Sequence, residues 1–120
     1  MIQDHSSKSG RQVFNSGQGN VVAQEFEFNG ASMNAAIITL TAPYPDAGNY
    51  ALNKKSEMLV LVLDGGVTLV TRANTIDVAR NDVVHIPSGA EYRWNPLGTV
   101  TLYIVSSPPW NKDQQFLIEE

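Results

Sequence analysis

Apolar residues along most of the chain recur at every second position, a spacing that is typical of β-strands and not of helices. Glycine, proline and asparagine separate the alternating runs, and they favour tight turns between strands. The runs predicted as strands are 21–28, 33–42, 57–63, 67–72, 75–79, 83–86, 91–94 and 99–105. The pattern therefore predicts an all-β protein, built as a sandwich or a closed barrel.

The run 58–63 carries apolar side chains on both faces of its predicted strand. A strand of this kind is usually covered on both sides. We therefore expect something to pack outside the barrel, which could be the other sheet, the N-terminal residues or a second subunit. Because symmetric dimers are the most common small oligomers, we predict a homodimer.

Composition and charge narrow the class of protein further. The 120 residues, of which 42% are hydrophobic and 17% are charged, fit one globular domain. We expect a polar N-terminal arm over residues 1–20 and one barrel domain over 21–120, with a C-terminal tail after about residue 107. The net charge of −4 and the scattered basic residues argue against a nucleic-acid partner. Residues 1–8 lack the apolar stretch of a signal peptide, and no apolar run approaches a membrane helix, so we expect a cytoplasmic protein without a membrane partner.

The chain has no cysteine and two histidines, His5 and His85. The lack of cysteine excludes disulfides, zinc–thiolate sites, iron–sulfur clusters and thiol nucleophiles. His85 alternates with apolar neighbours in a short strand, so we favour a core or interface side chain over a catalytic base. Glu25 and Glu27 share one face of the first predicted strand, and we interpret both as solvent-exposed.

Residues 81–95 resemble the second conserved motif of the cupins. That motif is a glycine, five residues, Pro-x-Gly, two residues, a histidine, three residues and an asparagine. Pro87, Gly89 and Asn95 fit it in register, whereas Asn81 replaces the first glycine and Tyr92 replaces the histidine. Asparagine tolerates the left-handed backbone conformation, so we expect Asn81 to keep the turn. The resemblance spans about residues 35–107 and implies a cupin-type jelly-roll β-barrel, also called a double-stranded β-helix.

The resemblance also implies where the metal ligands of the cupins fall in this chain. Counting back from Gly65, the family's glutamate falls on Met58, and its first two histidines fall near Leu52 and Lys54 or one residue earlier. A mononuclear cupin site needs imidazoles and a carboxylate that converge on one metal ion. Because neither these positions nor Tyr92 offers such ligands, we expect no bound metal and no other cofactor.

Tyr92 is the main candidate binding residue, since the resemblance places its phenol inside the barrel, where it can donate and accept hydrogen bonds. Tyr103, Asn53 and Lys54 are the further polar candidates, and Met58 is expected as apolar lining. Four other aromatic residues could form a rim that stacks on a ring, although the tryptophans could equally be packing residues: Tyr44, Tyr50, Trp94 and Trp110.

Two hypotheses for the function follow from these residues. The first is a metal-free cupin that binds a small polar ligand, such as a sugar or an organic acid, in its barrel. Acid–base chemistry of the isomerase or epimerase type could accompany binding, because some metal-free cupins epimerise nucleotide-linked sugars with a histidine base and a tyrosine acid. The second is a non-catalytic binding or assembly module with a packed barrel. An open cavity around Tyr92 would favour the first hypothesis.

Overall fold

The described part of the chain folds into two facing β-sheets. The structure is a computed structural model, and it describes residues 2–6, 14–16, 21–46 and 48–119. Its strands are β1 (Phe14–Ser16), β2 (Val21–Phe26), β3 (Asn34–Leu40), β4 (Asn49–Asn53), β5 (Glu57–Asp64), β6 (Gly66–Val70), β7 (Thr75–Ala79), β8 (Val83–Ile86), β9 (Arg93–Pro96), β10 (Val100–Ser107) and β11 (Gln115–Glu119). A short 3-10 helix, Lys112–Gln114, precedes β11. The described residues include no helix with the length and apolarity that a membrane crossing needs.

The strand order shows how the two sheets are built. The first sheet has the order β1-β2-β3-β10-β5-β8, and its neighbouring strands are antiparallel. The second layer contains the pair β11-β4 and the three strands β7-β6-β9. Two isolated bridges lie between these two groups: Ala51 of β4 pairs with Tyr92, which precedes β9, and Tyr44, which precedes β4, pairs with Trp94 of β9. The arrangement confirms the all-β prediction.

The hydrophobic core lies between the two sheets and follows the alternation of the strands. On β5, Met58, Val60 and Val62 point inward and are buried. Strands β6 and β10 alternate in the same way, because successive side chains of a strand point to opposite faces. The largest fully buried apolar side chains are Leu40, Val60, Val62, Val67, Val100 and Leu102.

The outer face of β5 remains accessible within the described chain. Leu59 is 52% exposed and Leu63 is 38% exposed. Of the three covers considered, the described residues of the same chain leave this face partly open, and a second subunit remains. The homodimer stays a prediction, and this face is where a second copy would be needed.

The turn at Asn81 has the backbone conformation that the sequence predicts. Asn81 has a φ of 74°, and its backbone N–H donates to the carbonyl oxygen of Val62 at 2.9 Å. Gly65 also has a positive φ, of 80°, and a Cβ at this position would overlap the carbonyl oxygen of Thr99. Both turns therefore depend on residue types that tolerate the left-handed region.

Three strands of the structure are not expected from the sequence: β1, β4 and β11. Strand β4 is short and begins and ends with asparagine, which is uncommon in strands, so its propensity is weak. Strand β11 lies in the expected C-terminal tail, and it pairs with β4 from Gln115–Asn53 to Glu119–Asn49. Strands β4 and β11 are formed by pairing with each other across a long stretch of sequence, and local patterns do not report such pairing.

Part of the expected N-terminal arm packs on the first sheet. Strand β1 pairs with β2, and the His5 ring lies 4.9 Å from the ring of Phe28. The Nε2 atom of His5 is 2.6 Å from the carbonyl oxygen of Glu27, and the Gln3 side chain hydrogen-bonds the backbone of Asn29. The remaining residues of the expected arm, which are residues 1, 7–13 and 17–20, lie outside the described residues.

Candidate functional site

A cavity of about 260 Å³ lies between the two sheets. Strands β2, β3, β5 and β10 supply one wall, which includes Met58 and Ile104. The opposite wall is aromatic and consists of Tyr44, Tyr92 and Trp94, and two residues of the C-terminal segment, Trp110 and Gln115, complete the lining. The cavity is thus mostly apolar, with a few polar groups that converge on it, which is the usual composition of a small-molecule site.

Gln115 is the centre of the polar network in this cavity. Its side-chain Nε2 donates to the hydroxyl oxygen of Tyr92 at 3.1 Å and to that of Tyr44 at 3.3 Å. Its Oε1 accepts from the indole N–H of Trp110 at 3.0 Å and from the Asn53 side chain at 3.3 Å. One amide therefore holds both phenols and is itself held by two donors.

The environment of the two phenols keeps them protonated at neutral pH. Burial raises the pKa of the Tyr92 hydroxyl above its usual range, the nearby Tyr44 raises it further, and the hydrogen bond from Gln115 acts in the opposite direction. Burial also raises the pKa of the Tyr44 hydroxyl, again against the effect of Gln115. Both groups are therefore neutral hydrogen-bonding groups that can donate as well as accept.

The segment after β10 is fixed in place by polar contacts with the barrel. The backbone N–H of Trp110 donates to Oδ1 of Asn34 at 3.0 Å, and Nδ2 of Asn34 donates to the carbonyl oxygen of Trp110 at 3.2 Å. The buried Ser56 hydroxyl donates to the carbonyl oxygen of Pro108 at 2.7 Å. The lining residues Trp110 and Gln115 therefore belong to an ordered wall of the cavity.

Of the five residues predicted for the site, the structure places Tyr92 and Met58 in the cavity lining. Asn53 is buried behind Gln115, where its Oδ1 accepts from the backbone N–H groups of Lys55 and Ser56. It supports the amide of Gln115 and is not part of the lining, which corrects its predicted position.

The predicted positions of Tyr103 and Lys54 are also corrected. Tyr103 lies on the face of β10 opposite to Ile104 and Ser106, which line the cavity, because adjacent residues of a strand point to opposite sides. Lys54 is exposed, and its Nζ atom lies 4.4 Å from the centre of the Phe116 ring. Neither side chain is in the cavity lining.

Four polar lining residues are missed or misread from the sequence: Glu25, Asn34, Ser106 and Gln115. Glu25, which the sequence pattern marks as solvent-exposed, is half-buried and lines the cavity. The available signal is that Glu25 shares a strand face with Val21 and Ala23, which also line it. Asn34 likewise shares a strand face with Ala36 and Ile38, which also line the cavity. Gln115 gives no local signal, because its position depends on the long-range pairing of β11 with β4.

Of the four aromatic candidates, three line the cavity and one is buried elsewhere. Tyr44, Trp94 and Trp110 line the cavity, whereas Tyr50 is buried next to the guanidinium groups of Arg72 and Arg93, which lie 4.6 and 4.9 Å from its ring centre. The expected aromatic rim is therefore formed by three of its four residues.

His85 does not lie in the core. Its side chain is 50% exposed, and Nε2 is 3.0 Å from the carboxylate of Glu57. It sits on β8, the last strand of the first sheet, opposite Leu59 of β5. The interpretation of a core histidine is wrong, and an interface role for His85 remains a prediction.

The residues at the cupin metal positions do not fit a metal ion. Met58 offers a thioether, which is a soft ligand, and the Tyr92 oxygen already accepts from Gln115. Within the described ranges, no group of three or more histidine, aspartate or glutamate side chains could hold a metal. That the protein binds no metal stays a prediction, which elemental analysis can test.

Comparison with known proteins identifies the fold. No family model matches the sequence, and no curated protein matches it. Pac13 from Streptomyces, a nucleoside dehydratase whose structure is known with uridine, has a TM-score of 0.80 at 8% identity over 99% of this chain and 92% of its own. Ectoine synthase from P. lautus has a TM-score of 0.73 at 11% identity over 98% of this chain and 90% of its own. A cupin-2 domain protein from Shewanella frigidimarina has a TM-score of 0.58 at 14% identity over 68% of this chain and 74% of its own.

The protein is therefore a small all-β protein with the cupin-type fold. The two facing sheets and the strand order are those of a jelly-roll barrel, which confirms the predicted fold class. Tyr92 takes the position at which the cupin motif has a histidine, and it does so in an open cavity.

Proposed function

We propose that this protein binds a small polar molecule in the cavity lined by Tyr92, without a metal ion. The observation that carries the proposal is the cavity itself, about 260 Å³ in volume and lined by two phenol hydroxyls that Gln115 orients. A packed barrel, the alternative hypothesis, would leave no such space. Met58 supplies part of the apolar lining, and Tyr92 supplies a central polar contact.

The structural relatives support small-molecule binding as a general property of this fold. Pac13 is a nucleoside dehydratase, and ectoine synthase likewise acts on a small molecule. These proteins share the fold with this chain at 8% and 11% identity. Their ligands are therefore starting points for a screen, and uridine belongs in it.

Acid–base catalysis is a second candidate function, favoured by one observation. A carboxylate, Glu25, and two neutral phenols, Tyr44 and Tyr92, line the same cavity. A carboxylate that accepts a proton and a phenol that donates one are the groups that an isomerase or epimerase of the acid–base type requires. Exchange of a ligand C–H for deuterium in D2O, followed by NMR and abolished by Glu25→Gln, would support this activity.

A thermal-shift screen against sugars, nucleosides and small acids tests the binding function. A ligand at ten times its Kd adds about 1.4 kcal/mol to the stability, enough to raise the Tm by a few degrees. Tyr92→Ala is expected to remove the shift, while Tyr103→Phe, which removes a hydroxyl outside the cavity, is expected to keep it. A ligand whose affinity survives Tyr92→Phe and Tyr92→Ala unchanged would contradict the proposed site. The homodimer and the cytoplasmic location are kept as predictions.

A further inference from the structure

We propose that the cavity selects a neutral molecule with an acceptor oxygen, such as a ketone or amide carbonyl, which binds to the paired hydroxyls of Tyr44 and Tyr92. The inference rests on the proposed binding function and names the ligand class of that same cavity. It narrows the initial expectation of a sugar or an organic acid, because it excludes the acid. The direction of each hydrogen bond in the Gln115 network determines this ligand class.

The orientation of the Gln115 amide is determined by its neighbours. The indole nitrogen of Trp110 has a hydrogen to donate and no lone pair to accept with, so the atom 3.0 Å from it must be the amide oxygen. Asn53 donates to the same oxygen, since the oxygen of Asn53 already accepts from Lys55 and Ser56. The NH2 group of Gln115 must then face the two tyrosines.

This orientation makes both tyrosine oxygens acceptors. The NH2 group has two hydrogens, one for Tyr92 and one for Tyr44, so each phenol receives a hydrogen bond from Gln115. Each phenol therefore keeps its own O–H for another partner, and both residues line the cavity. Two neighbouring O–H donors match a carbonyl oxygen, whose two lone pairs can accept both.

The electrostatics of the lining disfavour an anionic ligand. Apart from Glu25, which contributes a carboxylate, and the two tyrosines, the described lining has no ionisable side chain. It therefore offers no cation to an anionic ligand. Transfer of a second carboxylate into a mostly apolar cavity costs desolvation energy that neutral hydroxyls only partly offset. A neutral carbonyl accepts the same two hydrogen bonds at a much lower desolvation cost.

The size of the cavity limits the ligand to one or two rings. An engineered cavity of about 150 Å³ holds benzene, and the present cavity of about 260 Å³ is larger by the space of a few substituent atoms. The aromatic walls formed by Trp94 and Trp110 suit a flat ring. A substituted ring with one carbonyl group fits both the volume and the donor pair.

Three probes that have the same number of non-hydrogen atoms separate the effect of ligand charge from the effect of accepting or donating a hydrogen bond. Acetophenone is a neutral acceptor, benzoate is a charged acceptor and indole is a neutral donor. Their Kd values can be measured by NMR titration of the isotope-labelled full-length protein. We expect acetophenone to bind at least about tenfold more tightly than benzoate, because an unpaired charge is costly to bury. Acetophenone should also bind more tightly than indole.

Gln115→Glu reverses the polarity of the network without changing its size. The new carboxylate still accepts from Trp110 and Asn53, and its second oxygen accepts the O–H groups of Tyr44 and Tyr92. Those hydroxyls then present lone pairs to the cavity, so the preference should move from acetophenone toward indole by about tenfold or more. Both probes are neutral, so the added charge affects their ratio little.

Tyr44→Phe and Tyr92→Phe keep the inference testable if Gln115→Glu does not fold. Each should weaken acetophenone binding about fivefold and leave indole binding nearly unchanged, since each removes one donor. The matched control is Tyr103→Phe, which lies outside the lining and should change neither value.

The outcomes distinguish this inference from the proposed function. Benzoate binding as tightly as acetophenone, or an unchanged acetophenone-to-indole ratio in Gln115→Glu and in both tyrosine variants, would overturn the ligand class. If other screened compounds still bound in a Tyr92-dependent way, the proposed binding function would stand although the proposed ligand class would not. A screen in which no compound binds in the cavity would overturn both.

Discussion

Ala51 and Tyr92 exchange two backbone hydrogen bonds, with N–O distances of 2.8 and 2.9 Å. Tyr44 and Trp94 exchange a second pair, at 2.9 and 2.7 Å. The backbone of each cavity tyrosine is thus fixed by an isolated β-bridge, and Gln115 holds the hydroxyl at the other end of each side chain. A site whose donors are fixed at both ends loses little entropy when a ligand binds.

The raised pKa of Tyr92 predicts a pH-dependent stability. An unfolded tyrosine titrates at about pH 10, whereas the folded group stays protonated to a higher pH. The unfolded state therefore loses protons first, so this contribution is complete below about pH 10 and falls as the pH rises from there toward the folded pKa. Between about pH 10 and the folded pKa, urea unfolding should show a steeper loss of stability with pH for the wild type than for Tyr92→Phe, by up to about 1.4 kcal/mol per pH unit. Equal slopes would contradict the prediction.

Gly65 and Gly98 form a matched pair that separates backbone strain from steric overlap. Both have a positive φ, of 80° and 78°, but a Cβ at Gly98 would meet no atom within 4 Å, whereas one at Gly65 would overlap the Thr99 carbonyl oxygen. Gly98→Ala should cost about 1 kcal/mol from the backbone conformation alone. Gly65→Ala should cost that amount and about 1–3 kcal/mol more for the overlap. Chemical denaturation of both variants measures the difference, and equal costs would disprove the assigned contact.

The donor set at the cupin metal positions predicts that purified, untagged protein carries no stoichiometric transition metal. Met58 provides a weak thioether ligand, and Tyr92 is a neutral phenol bound to Gln115. Tyr92→His should not create a site, because the positions near Leu52 and Lys54 still lack imidazoles. Elemental analysis that finds close to one iron, manganese, nickel or zinc per chain would contradict this prediction.

The inward face of the central strands is predictable from the sequence because burial there follows a period of two. Met58 and Tyr92, which the resemblance to the cupin motif predicts inside the barrel, are in the cavity lining. Tyr103 is wrongly predicted as a lining residue although the same alternation is visible, since it sits between Leu102 and Ile104 and must face away from them. Applying the period to β10 corrects its position.

Other parts of the site do not follow from local patterns. Gln115 reaches the cavity because β11 pairs with β4, a contact between segments that are 62 residues apart at Asn53 and Gln115. Local propensity does not specify which strand β11 pairs with, so the pairing follows from long-range hydrogen bonds. Gln115, which determines the direction of the hydrogen bonds in the cavity, therefore cannot be predicted as a lining residue from local sequence patterns.

The exposed outer face of β5 and β8 predicts that the protein is a dimer in solution. Leu59 pairs in register with His85 and Leu61 pairs with Val83, and Leu59 and Val83 are 52% and 59% exposed. Strand β8 is also the last strand of its sheet in the described chain, so a second copy could cover both its apolar side chains and its open edge.

Light scattering at micromolar concentration should give twice the 13.1 kDa of one chain. Leu59→Lys should shift the population toward the monomer, because it places a charge in the proposed contact. Leu97→Lys is the matched control, since Leu97 is 68% exposed in the loop between β9 and β10 and its backbone N–H donates to Gly66 of β6, in the other layer. A wild-type protein that remains at 13.1 kDa, or a dimer that Leu59→Lys leaves intact, would show that this face is not the contact between copies.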